Sequence, residues 1–187
     1  MSVGAERVAL IGFGEVGQIL ADDLRSAGFL DLRAWDRLFP VTGSEPHRAV
    51  RARKFLREAS SLAEAADDSS IVICAVTADQ CVAAAREAAA ALSPGAFYFD
   101  LNSVSPATKK DAANLIEAAG GCYVEAVVMS AIGLKRSATP MWLGGPHADR
   151  FLSRARSLGF TGAAVYSDAI GAASAVKMCR SVVIKGI

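Results

Sequence analysis

Along the 187 residues, short apolar runs rich in β-branched or aromatic side chains alternate with Ala-rich stretches. The apolar runs have strand length and the Ala-rich stretches have helical periodicity. This is the pattern of repeated strand–helix–strand units around a mostly parallel sheet. Residues 7–11 (RVALI) predict the first strand. Residues 15–27 predict a helix with Val16, Ile19, Leu20 and Leu24 on one face, stopped by Gly28. Residues 32–35 predict a second strand ending at Asp36, and residues 37–46, with Pro40, Gly43 and Pro46, predict a loop. Residues 47–58 (HRAVRARKFLRE) read as a basic helical stretch without a clean third strand. Ser61 caps a brief helix over SLAEAADD.

Residues 70–76 (SIVICAV) form the clearest buried strand, followed by an Ala-rich helix over 78–92 that Ser93, Pro94 and Gly95 close. Residues 96–101 (AFYFDL) predict another strand, and a helix over 106–119 carries Pro106 in its first turn. Strands are predicted over 122–128, 141–143 and 163–166, with a polar loop at 134–140 and a helix over 146–158. From residue 169 the pattern is helical, and Val176, Val183 and Ile187 are spaced as a buried stripe. The expectation is a domain over 1–168 and, over 169–187, the start of a helix whose apolar face something further covers.

Composition narrows the function classes. The 52% hydrophobic content fills a sizeable core. Twenty basic and nineteen acidic residues leave a net charge of +1 with no basic stripe, so neither nucleic acid nor a membrane surface is expected as partner. Four scattered cysteines, three of them in apolar runs, are expected to be reduced thiols, as in a cytoplasmic protein. Two histidines and no C-x-x-C pair supply a metal site poorly, and none is expected. The chain enters a strand within a few residues, leaving no room for a signal peptide. No apolar stretch reaches the roughly 20 residues of a membrane span.

The turn between the first strand and the first helix reads Gly12-Phe13-Gly14-Glu15-Val16-Gly17. The first glycine permits the tight turn, the second lets a pyrophosphate approach the backbone, and the third brings helix and strand together. The helix N-terminus then offers free N–H groups to the phosphates. Asp36, about 20 residues further on, is positioned to accept from the ribose hydroxyls of NAD and to repel a 2′-phosphate. Arg37 beside it can stack on adenine or pair with that phosphate. NAD is therefore expected, with NADP as the alternative, on a Rossmann-type doubly wound sheet. Val76 and Thr77, where the SIVICAV strand ends, are expected to line the cofactor crevice.

Two later segments carry candidate chemistry. In Asp100-Leu101-Asn102-Ser103-Val104-Ser105-Pro106, Ser103 and the backbone N–H groups of a helix start could hold a carboxylate or hydroxyl; Ser103 reads equally as a hydroxyl of the helix cap. Lys177, inside an Ala-rich helix, reads either as a desolvated acid/base or as a lysine snorkelling to the surface.

The order GFGEVG, DLNSVSP, EAVVMSA and GAASAVKMCRS resembles the β-hydroxyacid dehydrogenase family, which includes 6-phosphogluconate and 3-hydroxyisobutyrate dehydrogenases. The resemblance implies hydride transfer between a nicotinamide cofactor and a small hydroxy acid. It makes Lys177 the acid/base and Ser103 a substrate-binding residue, with Val104, Ser130 and Ser181 beside the substrate and Asn102 near the nicotinamide ribose. It also implies an all-helical second domain after residue 187 and a homodimer. Ser181 stands where the family usually has asparagine, and Glu125-Ala126-Val127-Val128-Met129-Ser130-Ala131 lacks two glycines of the family's substrate loop. Arg180 and Lys185 on the same helix could face an anionic substrate, or be solvated surface charges. An imine reductase of related fold, which does without the lysine, and a non-catalytic dinucleotide-sensing module are the competing readings.

Overall fold

The structure, a computed structural model, describes residues 6–185. Eight strands alternate with eight helices, in the order β1 (Arg7–Ile11), α1 (Glu15–Ser26), β2 (Asp31–Trp35), α2 (Glu45–Ala52), β3 (Arg57–Glu58), α3 (Leu62–Ala66), β4 (Ile71–Cys74) and α4 (Cys81–Ala89). Then come β5 (Phe97–Asp100), α5 (Pro106–Ala118), β6 (Cys122–Val128), α6 (Ile132–Lys135), β7 (Met141–Gly144), α7 (Ala148–Ser157), β8 (Ala163–Ser167) and α8 (Ala172–Lys185). All eight strands join one sheet in the order β3-β2-β1-β4-β5-β6-β7-β8. Neighbours are parallel except β6 and β7, which pair antiparallel. This is the mostly parallel α/β architecture that the alternation predicts.

The central strands are buried on both faces because helices cover both. On one face Val8, Leu10, Ile71, Ile73, Phe97 and Phe99 pack with Leu20 and Leu24 of α1 and Phe151 of α7. On the other, Ala9, Ile11, Val72, Cys74 and Tyr98 meet the alanines of α3, α4 and α5. Alanine on those helices lets them approach the sheet closely, so the second layer needs few large side chains.

Three expectations need correction. The basic stretch is not one helix. Ser44 Oγ accepts from His47 N (3.2 Å), starting α2 inside the expected loop, and Arg57 and Glu58 pair with Arg33 and Ala34 as the missing third strand. Both β3 side chains are exposed, so this edge strand carries no apolar signal. The polar loop at 134–140 overlaps α6 and a 3-10 turn at Arg136–Ala138. Asp23 of α1 holds that turn by accepting from Arg136 Nε (2.6 Å) and Ser137 N (2.9 Å). On α8 the apolar stripe is not covered by the rest of the described residues: Val176 is half-buried and Val183 is exposed, while Ile187 lies outside the described residues. The inward residues of α8 are Ala173 and Ser174, because only its first turns pack on the sheet.

Cys74, Cys81 and Cys122 are buried free thiols and Cys179 is exposed. Burial pushes the Cys74 thiol up to about 11 and the Cys81 thiol to about 12. Among the described residues, no helix is long and apolar enough to cross a membrane.

Candidate active site

The first strand ends in the glycine turn. Gly12 has φ +90°, and its N–H donates to the Trp35 carbonyl (2.9 Å). A Cβ on Gly12 would overlap the Ala75 carbonyl oxygen, and one on Gly17 would overlap that of Gly12. Those two glycines exist for backbone approach between β1, α1 and the exit of β4. Gly14 differs. Nothing lies within 4 Å of its added Cβ. It borders an open crevice of about 560 Å³ that Gly12, Glu15, Val16, Asp36, Arg37, Val76 and Thr77 also line. An open space above a bare backbone at a helix N-terminus is what a pyrophosphate requires. The residues present fit a dinucleotide.

Asp36 closes the turn from the side. Its two carboxylate oxygens accept from Phe13 N (2.7 Å) and Leu38 N (2.8 Å), which fixes the carboxylate at the crevice wall. Of the residues expected at the cofactor, Phe13 and Gly17 stand behind the wall. The Phe13 N–H is occupied by Asp36 and its ring is buried against Phe39 (5.7 Å between centroids).

A second cavity of about 360 Å³ lies beyond the ends of β5 and β6, lined by Asn102, Ser103, Val104, Lys177 and Ser181 among others. Lys177 Nζ donates to Ser103 Oγ at 2.8 Å, joining two segments 74 residues apart. Burial pushes the Lys177 ammonium below its usual value, and the buried charge of Lys109 adds to the effect. An amine so tuned beside a serine hydroxyl can exchange a proton with a bound hydroxyl. Ser105, not Ser103, caps α5, accepting from Thr108 N (3.1 Å), so the Ser103 hydroxyl is left for the cavity. Ser130 is exposed and does not line the cavity. Arg180 is exposed and donates to the Met129 carbonyl (3.3 Å); the Lys185 side chain lies outside the described residues.

Asn102 is only 4% exposed, with its carboxamide turned inward. Its Oδ1 accepts from Val76 N at 2.7 Å and its Nδ2 points to the sulfurs of Cys74 (3.4 Å) and Cys81 (3.5 Å).

Two buried polar groups were missed from sequence. Glu125 on β6 accepts from Gly171 N (2.6 Å), Ser174 N (2.9 Å) and Ser174 Oγ, tying the first turn of α8 to the sheet. Lys177 sits one turn further along the same helix. Asp100, at the end of β5, accepts from Tyr123 Oη (2.5 Å) and Asn102 N (2.8 Å) and pairs with Lys109 Nζ (3.2 Å). Lys109 and Asp100 are both 0% exposed. The only sequence hint of the Asp100 cluster was a carboxylate at a strand end, and Lys109 beside Lys110 reads as a solvated pair.

Comparison with known proteins agrees with this geometry. The sequence model of the NAD binding domain of 6-phosphogluconate dehydrogenase matches residues 7–170. Human mitochondrial 3-hydroxyisobutyrate dehydrogenase is 26% identical over 179 residues, covering 95% of this chain and 52% of its own length. The chain thus spans about half the length of the curated relatives it matches. A conserved hypothetical protein from Sinorhizobium meliloti 1021 superposes with TM-score 0.85 at 32% identity, over 98% of this chain and 62% of its own. An imine reductase from Streptomyces aurantiacus shares the fold at TM-score 0.79 and 23% identity, over 96% of this chain and 62% of its own. Glycine turn, sheet order and matched length converge: the chain belongs to the β-hydroxyacid dehydrogenase family, and it carries that family's NAD-binding domain.

Proposed function

We propose that the protein is an oxidoreductase acting on a small hydroxy acid, with NAD in the crevice of the glycine turn. The observation that carries this reading is the Lys177–Ser103 contact at 2.8 Å, in a cavity joined to that crevice through the Asn102–Val76 bond. When bound, the nicotinamide supplies or accepts the hydride. Lys177 Nζ takes the hydroxyl proton of the substrate as its C–H bond breaks, and returns it in the reverse direction. Ser103 Oγ orients that hydroxyl, and Ser181 stands one helical turn beyond Lys177 on the cavity wall. The first turns of α8, held by Glu125, keep Lys177 facing Ser103. In this reading α8 leads out of a nucleotide domain over 1–168 toward a helical domain that completes the substrate site and the homodimer contact. The buried, high-pKa thiols suit a reducing compartment such as the cytoplasm.

The crevice lining favours NAD over NADP. Glu15, Asp36, Glu45 and Glu87 stand against Arg37 alone among its charged residues, an unfavourable surround for a 2′-phosphate. Fluorescence titration with NADH and NADPH, beside Asp36→Ala, tests this. Tighter NADH binding that the substitution weakens about tenfold is expected, whereas tighter NADPH binding would reverse the cofactor assignment. In the full-length protein, Lys177→Met should abolish hydroxy-acid oxidation. Unchanged turnover of a cyclic imine in that variant would instead identify an imine reductase, and cofactor binding without any turnover would identify a sensing module.

A further inference from the structure

We infer that Asn102 is a positioning residue that couples the two cavities, so that filling the nucleotide crevice sets the geometry of Ser103 and Lys177. The inference rests on the reading that the crevice of the glycine turn holds the dinucleotide. Val76 lines that crevice, and its N–H is held by Asn102 Oδ1 at 2.7 Å. Ser103, the next residue after Asn102, accepts from Lys177 Nζ. One side chain therefore spans the exits of β4 and β5, with a cofactor-lining backbone at one end and the substrate-side hydroxyl one peptide unit away at the other.

The strut stands on a fixed base. Asn102 N donates to Asp100 Oδ1 (2.8 Å), and Asp100 is held in turn by Tyr123 Oη and Lys109 Nζ, which also donates to the Asp100 carbonyl (3.0 Å). In the proposed coupling, the pinned end of β5 leaves residues 101–105 to take up a displacement at Val76. A leucine of similar volume would fill the same buried space and could not accept from Val76. The chain has placed there a carboxamide whose oxygen serves one bond, to the neighbouring exit loop. Contiguous hydrogen bonds between rigid elements are one physical means by which two sites share free energy.

Amide hydrogen exchange on this chain with ADP as the probe tests the coupling. ADP carries only the adenosine and diphosphate groups. It reaches the glycine turn and residues 75–77 and has no nicotinamide end to set beside Ser103. Bound ADP is expected to slow exchange of residues 101–105 by about fivefold, in addition to direct protection of residues 12–17. In Asn102→Ala, ADP still protects residues 12–17, and the slowing at 101–105 disappears. A purely structural role would lower thermal stability and leave the ADP effect at 101–105 in place. Slowing that persists in folded Asn102→Ala, or wild-type protection confined to residues 12–17 and 75–80, overturns the inference. If Asn102→Ala fails to fold, the wild-type comparison decides by itself. Absence of any protection by ADP, together with absence of NADH binding by fluorescence, removes the dinucleotide reading and this inference with it; NADH binding without slowing at 101–105 removes the inference alone.

Discussion

The two cavities are built from different materials. The nucleotide crevice is organised around backbone: Gly12 and Gly14 line it with Gly17 packed behind them, at a helix N-terminus beside one carboxylate clasped by two N–H groups. The substrate-side cavity is made of side chains drawn from the loop between β5 and α5, from β6 and from α8, and it depends on buried polar groups behind it. A backbone site is specified by a short local pattern, because turn geometry needs glycine at fixed spacing. A side-chain site is specified by tertiary contacts between segments far apart in the chain, which no local pattern records.

Substitutions can break this contrast. The largest effect is expected at Gly12, where φ +90° and the Ala75 carbonyl both oppose a side chain. Gly12→Ala should cost about 4 kcal/mol or prevent folding, as read by urea unfolding. Glu125→Ala should cost about 3 kcal/mol, since it leaves two buried N–H groups and the Ser174 hydroxyl without their acceptor. Loosening of α8 should then show as faster acylation of Lys177 in peptide mass spectrometry. Gly14→Ala separates folding from binding within the backbone site. With φ −73° and open space above it, alanine should change stability by less than about 0.5 kcal/mol. NADH affinity measured by fluorescence should still fall about tenfold. Loss of stability there would mean that the crevice is part of the core, and the contrast would fail.

The smallest effect concerns Lys177. Its pKa is below 10.5 when folded and near 10.5 when unfolded, so between those values the unfolded chain binds more protons and stability rises with pH. Below the folded pKa the buried charge is a constant burden. Lys177→Met should therefore be more stable than wild type at neutral pH by a few tenths of a kcal/mol, because the amine is only half-buried. The difference should shrink as pH climbs toward 10.5, measured by thermal melts across pH.

Much of the fold was legible because its strands are apolar runs bounded by turn residues; β1, β4, β5 and β6 lie where RVALI, SIVICAV, AFYFDL and the run after Gly121 put them. What escaped was structure without an apolar signature. Arg57 and Glu58 make a strand with both side chains in solvent, and Ser44-Glu45-Pro46 is a helix start that reads as a loop when only its proline is weighed. At the site, Lys177 and Ser103 were named from sequence and lie in contact. Asn102 was expected to face the cofactor, and its carboxamide points inward because Val76 N and two thiols surround it. Burial direction is a property of the packed molecule, so the residue type was readable and its partner was not.

The buried Asp100–Lys109–Tyr123 cluster also constrains how β5 and β6 can align. Asp100 pairs in register with Glu125, and Tyr123 reaches across from two residues earlier. A slip of one residue turns every side chain of the shifted strand to the opposite face. When β5 is the strand that shifts, Asp100 turns away and the Lys109 ammonium is left in the core without its carboxylate, a defect costing about 3–5 kcal/mol. Hydrophobic side chains alone would tolerate such a slip more easily, since Phe97, Tyr98 and Phe99 offer apolar surface in either alignment. A charge pair that contributes little net stability can thus leave one alignment of these two strands far below its competitors, and that alignment is the one that delivers Ser103 to Lys177.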